Sequence, residues 1–306
     1  MNKKKTTGLF LAGLFLVIAM SFICSGNAEA AGYKKIETDH SKPKTIRKVG
    51  KYYFKTLYGE DTDYKSRIYC SKKKDSGYRF MGIADNGCFT NGKYMLIFSA
   101  NDKKLFRKSC ATGKSKTLRR FTITEEYGMP DYWSIMTVVG NRVYIKWYRY
   151  PGMFKIYLYH LKDHSYKPAN ININVLAQKG RYFVGSTLDP NEDMSIPVSI
   201  YKSTSSGFSL VRTLTATGEG YAWRVGKRFY YVHYIKNPGE KGHKAVLYKC
   251  RIKGTGKKKI ATFTGKGNWV MVTKCKSTYC LVSRNRGLYK YTFKTKKMKL
   301  VERDER

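Results

Sequence analysis

The stretch VGKRFYYV (225–232), followed by LYKCRI (247–252), decides how the chain is read. A short apolar run reaches a Gly-basic turn, an aromatic strand leaves it in alternation, and a later strand carries a Leu/Ile-Tyr pair. The same plan recurs at VGKYYF (49–54) with RIYCSK (67–72), and at NGKYMLIF (91–98) with LFRKSC (105–110). It returns at VGNRVYIKW (139–147) with KIYLYHL (155–161), at KGRYFVG (179–185) with SIYKS (199–203), and at CKSTYCLV (275–282) with LYKYTF (288–293). The turn anchors are Gly50, Gly92, Gly140, Gly180, Gly226 and the glycine-less Lys276, spaced 40–50 residues apart.

A period of that size, with several short strands in each unit, is the signature of propeller blades. The expected fold is therefore all-β, a six-bladed β-propeller of four-stranded antiparallel blades. The third unit shows the plan best: Trp133–Val139, Arg142–Tyr148, Lys155–Leu161 and Tyr166–Ile173 read as its four strands. Beyond the N-terminus no window has sustained helical periodicity. Residues 1–30 read as a signal peptide, 31–42 as a lead-in segment and 43–306 as a single propeller domain. Tyr33–Glu37 is expected to supply an edge strand that closes the ring.

The signal reading rests on Lys3, Lys4 and Lys5 ahead of an apolar run from Leu9 to Ile23, then Ala28-Glu29-Ala30 as a small-x-small cleavage site. The run is short for a membrane span. An exported, envelope-associated protein is the expectation. Six cysteines follow the signal: Cys70, Cys88, Cys110, Cys250, Cys275 and Cys280. Export permits disulfides, and six cysteines allow fifteen connectivities. Cys275 and Cys280 flank the last hairpin turn and are the expected pair, whereas Cys70, Cys110 and Cys250 read as small core residues.

The formal net charge is +39, which selects polyanionic partners. In a four-stranded meander, successive turns alternate between the two ends of the sheet. The first-to-second and third-to-fourth turns of all blades therefore share one face. That face receives Lys72, Lys73, Lys74, Lys114, Lys116, Lys227, Arg228, Lys257, Lys258 and Lys259 as candidate polyanion-binding residues, against the acids Asp75 and Asp163. The other face mixes Lys103 and Lys104 with most of the acids. The expected partner is an anionic cell-wall polymer or a membrane surface. Nucleic acid is disfavoured, because no recognition helix or RNA-binding signature is present.

Catalytic and metal motifs are absent: there is no CxxC, GxSxG, HExxH or phosphate loop, and no cofactor is expected. The acids of LDPNEDM (188–194) lack the spacing of a calcium loop. One constellation remains. Counting back seven residues from the turn anchors puts Asp85, Trp133, Glu219 and Trp269 near the channel mouth, with Tyr221 and Trp223 further along the blade-five strand. In six-fold geometry the two carboxylates face each other, and so do the two indoles. Such a mouth suits a carbohydrate or peptide ligand.

The repeated Gly-basic-aromatic and Leu/Ile-Tyr pairs over residues 43–302 resemble secreted six-bladed propellers of the TolB-like kind. The resemblance implies a binding scaffold and carries over no site residue. The leading reading is an exported non-catalytic binding protein held at the cell envelope by a strongly basic face. Its rival is a carbohydrate-active enzyme using Asp85 and Glu219 as acid and base.

Overall fold

The computed structural model describes residues 32–36, 44–58, 66–84, 88–99, 103–122, 125–126, 129–130, 132–149, 153–187, 197–215, 221–236, 239–265, 269–284 and 287–303. The signal segment, Asp85, Glu219 and the 188–194 stretch lie outside them. Each blade is a contiguous antiparallel meander. A lead-in strand β1 (Lys34–Ile36) precedes blade 1, which comprises β2 (Lys44–Val49), β3 (Tyr52–Leu57), β4 (Ser66–Ser71) and β5 (Arg79–Ala84). Blade 2 is β6 (Cys88–Thr90), β7 (Tyr94–Ser99), β8 (Lys104–Ser109) and β9 (Ser115–Arg120). A small hairpin, β10 (Glu125–Glu126) and β11 (Met129–Pro130), leads into blade 3: β12 (Tyr132–Val139), β13 (Arg142–Arg149), β14 (Met153–His160) and β15 (Tyr166–Pro168). Blade 4 is β16 (Ile173–Lys179), β17 (Tyr182–Thr187), β18 (Val198–Thr204) and β19 (Gly207–Thr213). Blade 5 is β20 (Ala222–Val225), β21 (Arg228–Ile235), β22 (Lys244–Arg251) and β23 (Lys258–Thr264). Blade 6 is β24 (Val270–Cys275), β25 (Tyr279–Arg284), β26 (Gly287–Thr292) and β27 (Met298–Arg303). The chain is an all-β, six-bladed propeller.

The repeated turn explains itself. Gly50, Gly92, Gly140, Gly180 and Gly226 all have φ between +55° and +80°, as the first residue of a two-residue hairpin turn requires. The outer strand of blade 3 ends earlier than the sequence pattern suggests. Pro168 cannot donate to the ladder, and beyond it the Asn172 side chain takes over, accepting from the Ile156 N–H at 2.9 Å.

A second repeat was hidden from the sequence. The outer strands of blades 1, 2, 4, 5 and 6 each carry one extra residue against their neighbours: Met81, Leu118, Val211, Ile260 and Val301. The inner strands of blades 3, 4 and 6 do the same at Met136, Leu176 and Thr273. Each bulge raises the local twist and turns the following side chains to the other face.

Packing runs between blades. Aromatic and branched side chains form one cluster for each of the seams 1–2, 2–3, 3–4, 4–5 and 5–6. Among the described residues, no buried apolar cluster spans blades 6 and 1. Nor does the lead-in close that seam: β1 pairs with β6, the inner strand of blade 2 (Lys34↔Thr90, Ile36↔Cys88). The expectation of a ring-closing edge strand is therefore corrected. The cause is burial, since Tyr33 enters the 2–3 core and Ile36 the 1–2 core. Docking on the inside edge of blade 2 buries both, and fixes β1 beside the central channel.

The 3–4 seam is also stitched by polar bonds. The Tyr144 hydroxyl lies 2.6 Å from Ser203 Oγ and donates to the Gly207 carbonyl at 2.9 Å. The Asn170 amide exchanges two hydrogen bonds with the Phe208 backbone, both 2.9 Å. Gly207 permits this approach: it sits at φ +132°, and an added Cβ would lie 2.5 Å from Asn170 Oδ1 and 2.9 Å from Ala169 Cβ. Gly207→Ala is expected to destabilise the chain by about 1–3 kcal/mol, read as a lowered urea midpoint with an unchanged slope.

Candidate polyanion interface

Strand register brings like charges together. Directly opposed residues on paired strands have Cβ atoms about 4.5–5.5 Å apart, and like charges there destabilise the sheet. Blade 5 opposes Arg228 to Arg251 and Lys249 to Lys258. Blade 2 opposes Arg107 to Lys116 and Lys104 to Arg120, and blade 6 opposes Lys290 to Lys299. In no described register does a cation stand opposite a carboxylate. The crowding is felt where side chains are half-buried. Burial, then Arg228 and Lys258, hold the Lys249 amine below the ordinary lysine range. Burial and Arg79 do the same to Lys108.

Several cations of blades 1, 2 and 6 lie over aromatic rings. Lys290 Nζ lies 4.6 Å from the Tyr279 ring centre, Arg107 Cζ 4.6 Å from Tyr94, and Lys55 Nζ 4.9 and 4.7 Å from Tyr69 and Tyr78. A ring face attracts a cation through its quadrupole without neutralising it.

The candidate turn residues sit as the meander requires. Lys72, Lys73 and Lys74 occupy the β4–β5 turn, Lys114 the β8–β9 turn and Lys227 the β20–β21 turn, all exposed. Exposed Lys116, Arg228, Lys258 and Lys259 stand in the strands beside such turns. The strand order puts these turns at the same end of each sheet. Lys257 differs, because its ammonium donates to the Leu214 carbonyl at 3.0 Å and lies 4.6 Å from the Tyr248 ring centre. It ties blade 5 to blade 4. Of the two acids at this end, Asp163 is engaged by Ser165, whose N–H and hydroxyl donate to it at 2.9 and 2.8 Å. Those bonds hold its carboxyl below the usual carboxylate range.

The channel-mouth constellation does not assemble as expected. Trp133 is 8% exposed and packed in the 2–3 core, with its ring 4.7 Å from Phe121 and 5.5 Å from Tyr157. An inner strand turns its side chains to the two faces of its sheet, which are the seams between blades, and the bulge at Met136 decides which seam Trp133 enters. Val139 and Thr137 face blade 4, but beyond the bulge Ile135 and Trp133 face blade 2. Blade 5 has no such bulge in its inner pairing, so Tyr221 and Trp223 stay on the blade-6 side, stacked at 6.3 Å and half-buried.

Trp269 is 41% exposed, and it is not the counterpart of Trp133. The Lys276 N–H donates to the Tyr279 carbonyl at 2.8 Å, so Lys276 occupies the position that precedes glycine in the other turns. Counting from the true turn residue, Ser277, puts Val270 in the place of Trp133. The indoles therefore do not face each other as a pair. The carboxylates Asp85 and Glu219, on which hydrolysis would depend, fall outside the described residues. Among the described residues no group of three or more His, Cys, Asp or Glu is arranged to hold a metal ion.

No protein-family model matches the chain, and no curated protein matches it. Solved structures do. Oligogalacturonate lyase in complex with manganese superposes with a TM-score of 0.48 at 10% identity, over 92% of this chain and 83% of that one. The β-propeller domain of the Trilobed protease from Pyrococcus furiosus gives 0.44 at 14% identity, over 86% of each chain. TolB from Acinetobacter baumannii gives 0.37 at 11% identity, over 84% of this chain and 78% of that one. The likeness to these proteins is one of blade architecture alone.

Proposed function

We propose that this is an exported, non-catalytic binding protein that docks on an anionic polymer of the cell envelope through the basic ends of its blades. The observation that supports it is the set of opposed cation pairs beside the shared turns, Arg107–Lys116 in blade 2, Arg228–Arg251 and Lys249–Lys258 in blade 5 and Lys290–Lys299 in blade 6, none of which has a carboxylate in its register. Such an arrangement costs stability in the free protein and is relieved when an anion bridges the pair. Export is the contribution of the N-terminal segment. At roughly 1 kcal/mol per basic residue near an anionic surface, a handful of engaged side chains suffices for retention.

The test is sedimentation of the purified chain with anionic cell walls, with phosphatidylglycerol vesicles and with phosphatidylcholine vesicles, each across a salt titration. Binding to cell walls is expected, released as the Debye length shortens. Binding confined to the phosphatidylglycerol vesicles would assign the surface to membranes instead. Replacing Lys72–Lys74 or Lys258–Lys259 with Gln is expected to weaken binding severalfold. Neutralising Lys103 and Lys104, at the other end of blade 2, has a smaller effect. Equal losses from the two ends would sink the proposal.

A further inference from the structure

We propose that Cys70–Cys110 and Cys275–Cys280 are disulfide-forming pairs, one stapling blade 1 to blade 2 and the other closing the first hairpin of blade 6. All six cysteines after the signal are buried thiols in this structure, and their settings differ.

Cys275 and Cys280 are directly opposed across the β24–β25 hairpin. The Lys276–Tyr279 hydrogen bond at 2.8 Å makes the neighbouring pair the hydrogen-bonded one. Cys275 and Cys280 therefore form a non-hydrogen-bonded pair. In such pairs the Cα atoms lie about 4.5 Å apart and side chains approach most closely, within the roughly 4.4–6.8 Å window that a disulfide spans. Cys70, on β4, and Cys110, just after β8, meet across the 1–2 seam. Both lie in one buried cluster, near enough for each thiol to act on the other's protonation, and Cys110 Sγ is 3.8 Å from Thr90 Oγ1. Cys88 shares that cluster but is fully buried between β1 and β7. Cys250 has no second cysteine in its cluster.

The Cys70–Cys110 pair has a division of labour. Contact with Cys70, then the bond from Thr90, holds the Cys110 thiol below its ordinary range, while the same contact and burial push Cys70 up. Cys110, itself buried, adjoins exposed Ala111 and Thr112 at the mouth of a turn, and opening of that turn is the entry proposed for a reagent. With a low-molecular-weight disulfide RSSR as oxidant, the Cys110 thiolate attacks one sulfur and expels RS⁻, leaving a mixed disulfide at Cys110. Cys70 then gives up its proton and attacks the Cys110 sulfur, expelling the second RS⁻. The protein loses two protons and two electrons, and RSSR becomes two RSH. The same balance holds for Cys275 and Cys280.

The placement has a structural logic. Blades 1 and 6 flank the one seam without a buried apolar cluster among the described residues, where each contributes to a single such cluster. The first staple anchors blade 1 to its neighbour, and the second stiffens the inner hairpin of blade 6.

The decisive experiment equilibrates the full native chain in a glutathione–glutathione disulfide buffer. The chain is quenched in acid, alkylated after unfolding, and its non-reduced peptides are mapped by mass spectrometry. Linked peptides joining Cys70 to Cys110 and Cys275 to Cys280 are expected, with Cys88 and Cys250 alkylated. Adding dithiothreitol should lower the melting temperature, and Cys70→Ser/Cys275→Ser should abolish that response. The map is read on the unaltered chain, so it stands even if the variant folds poorly. Alkylation of all six cysteines, or Cys88 or Cys250 in place of a named partner, overturns the pairing. Identical melting of oxidised and reduced chains overturns the stapling role.

Discussion

A chain lacking residues 268–306, the whole of blade 6, is expected to lose its sharp thermal transition. The reason lies in the 5–6 core. Blade 5 contributes Tyr230, Val232, Tyr234, Leu247 and Phe263 to it, and blade 6 covers them with Val270, Val272, Cys275, Cys280 and Val282. Removing that cover returns five large side chains to water. At about 1.5–3 kcal/mol for each fully buried apolar side chain, the loss is on the order of 10 kcal/mol. That equals the whole stability of an ordinary domain, about 5–15 kcal/mol. Blade 5 also loses the carbonyl of Val270, which His243 reaches at 3.1 Å from a buried position. Circular dichroism melting and dye binding to exposed apolar surface read the result. A truncated chain that melts sharply within a few degrees of the full one would show that the blades are coupled differently from the five-core array.

The architecture was legible because its punctuation is local. A two-residue hairpin turn needs a left-handed first residue, so Gly50, Gly92, Gly140, Gly180 and Gly226 declare themselves. The aromatic alternation after each of them declares a strand. The candidate mouth was not legible, because it depends on single-residue offsets. A bulge at Met136 adds one residue inside a unit of some 40 residues, leaves no trace in the period, and moves Trp133 from the 3–4 seam to the 2–3 seam. The turn of blade 6 has no glycine, and anchoring it at Lys276 instead of Ser277 moved Trp269 one place out of register. The basic turns could be read from connectivity alone. That Lys249 faces Lys258 could not, because the bulge at Ile260 sets which residues oppose. The lead-in strand was foreseen, but its partner was not. Its choice of blade 2 follows from where Tyr33 and Ile36 find cover.

Neutralising the blade-5 cation cluster should move stability and binding in opposite directions. Lys249→Gln/Lys258→Gln removes a repulsion between directly opposed charges in a half-buried setting. Relief of such a pair is worth about 0.2–1 kcal/mol, so the variant is expected to unfold at a slightly higher urea concentration. The same change removes two charges from the proposed docking end. At roughly 1 kcal/mol each near an anionic surface, affinity should fall by about thirtyfold. Proton linkage gives the sign an independent check. In the folded chain the Lys249 amine binds its proton less avidly than in the unfolded chain, through burial and the nearby Arg228 and Lys258. The cost of holding it charged is fully present below the folded value, so the contribution of this one group, read as the difference between the chain and the variant, should rise as pH climbs through the lysine range. An anion seated on the cluster favours the charged form, so that difference should shrink in the complex. A cluster kept only for solubility predicts a different pattern: the variant would be stabilised with its affinity for cell walls unchanged. Affinity lost without any gain in stability would mean that the opposed charges are already relieved within the free protein, and the argument from repulsion would fail.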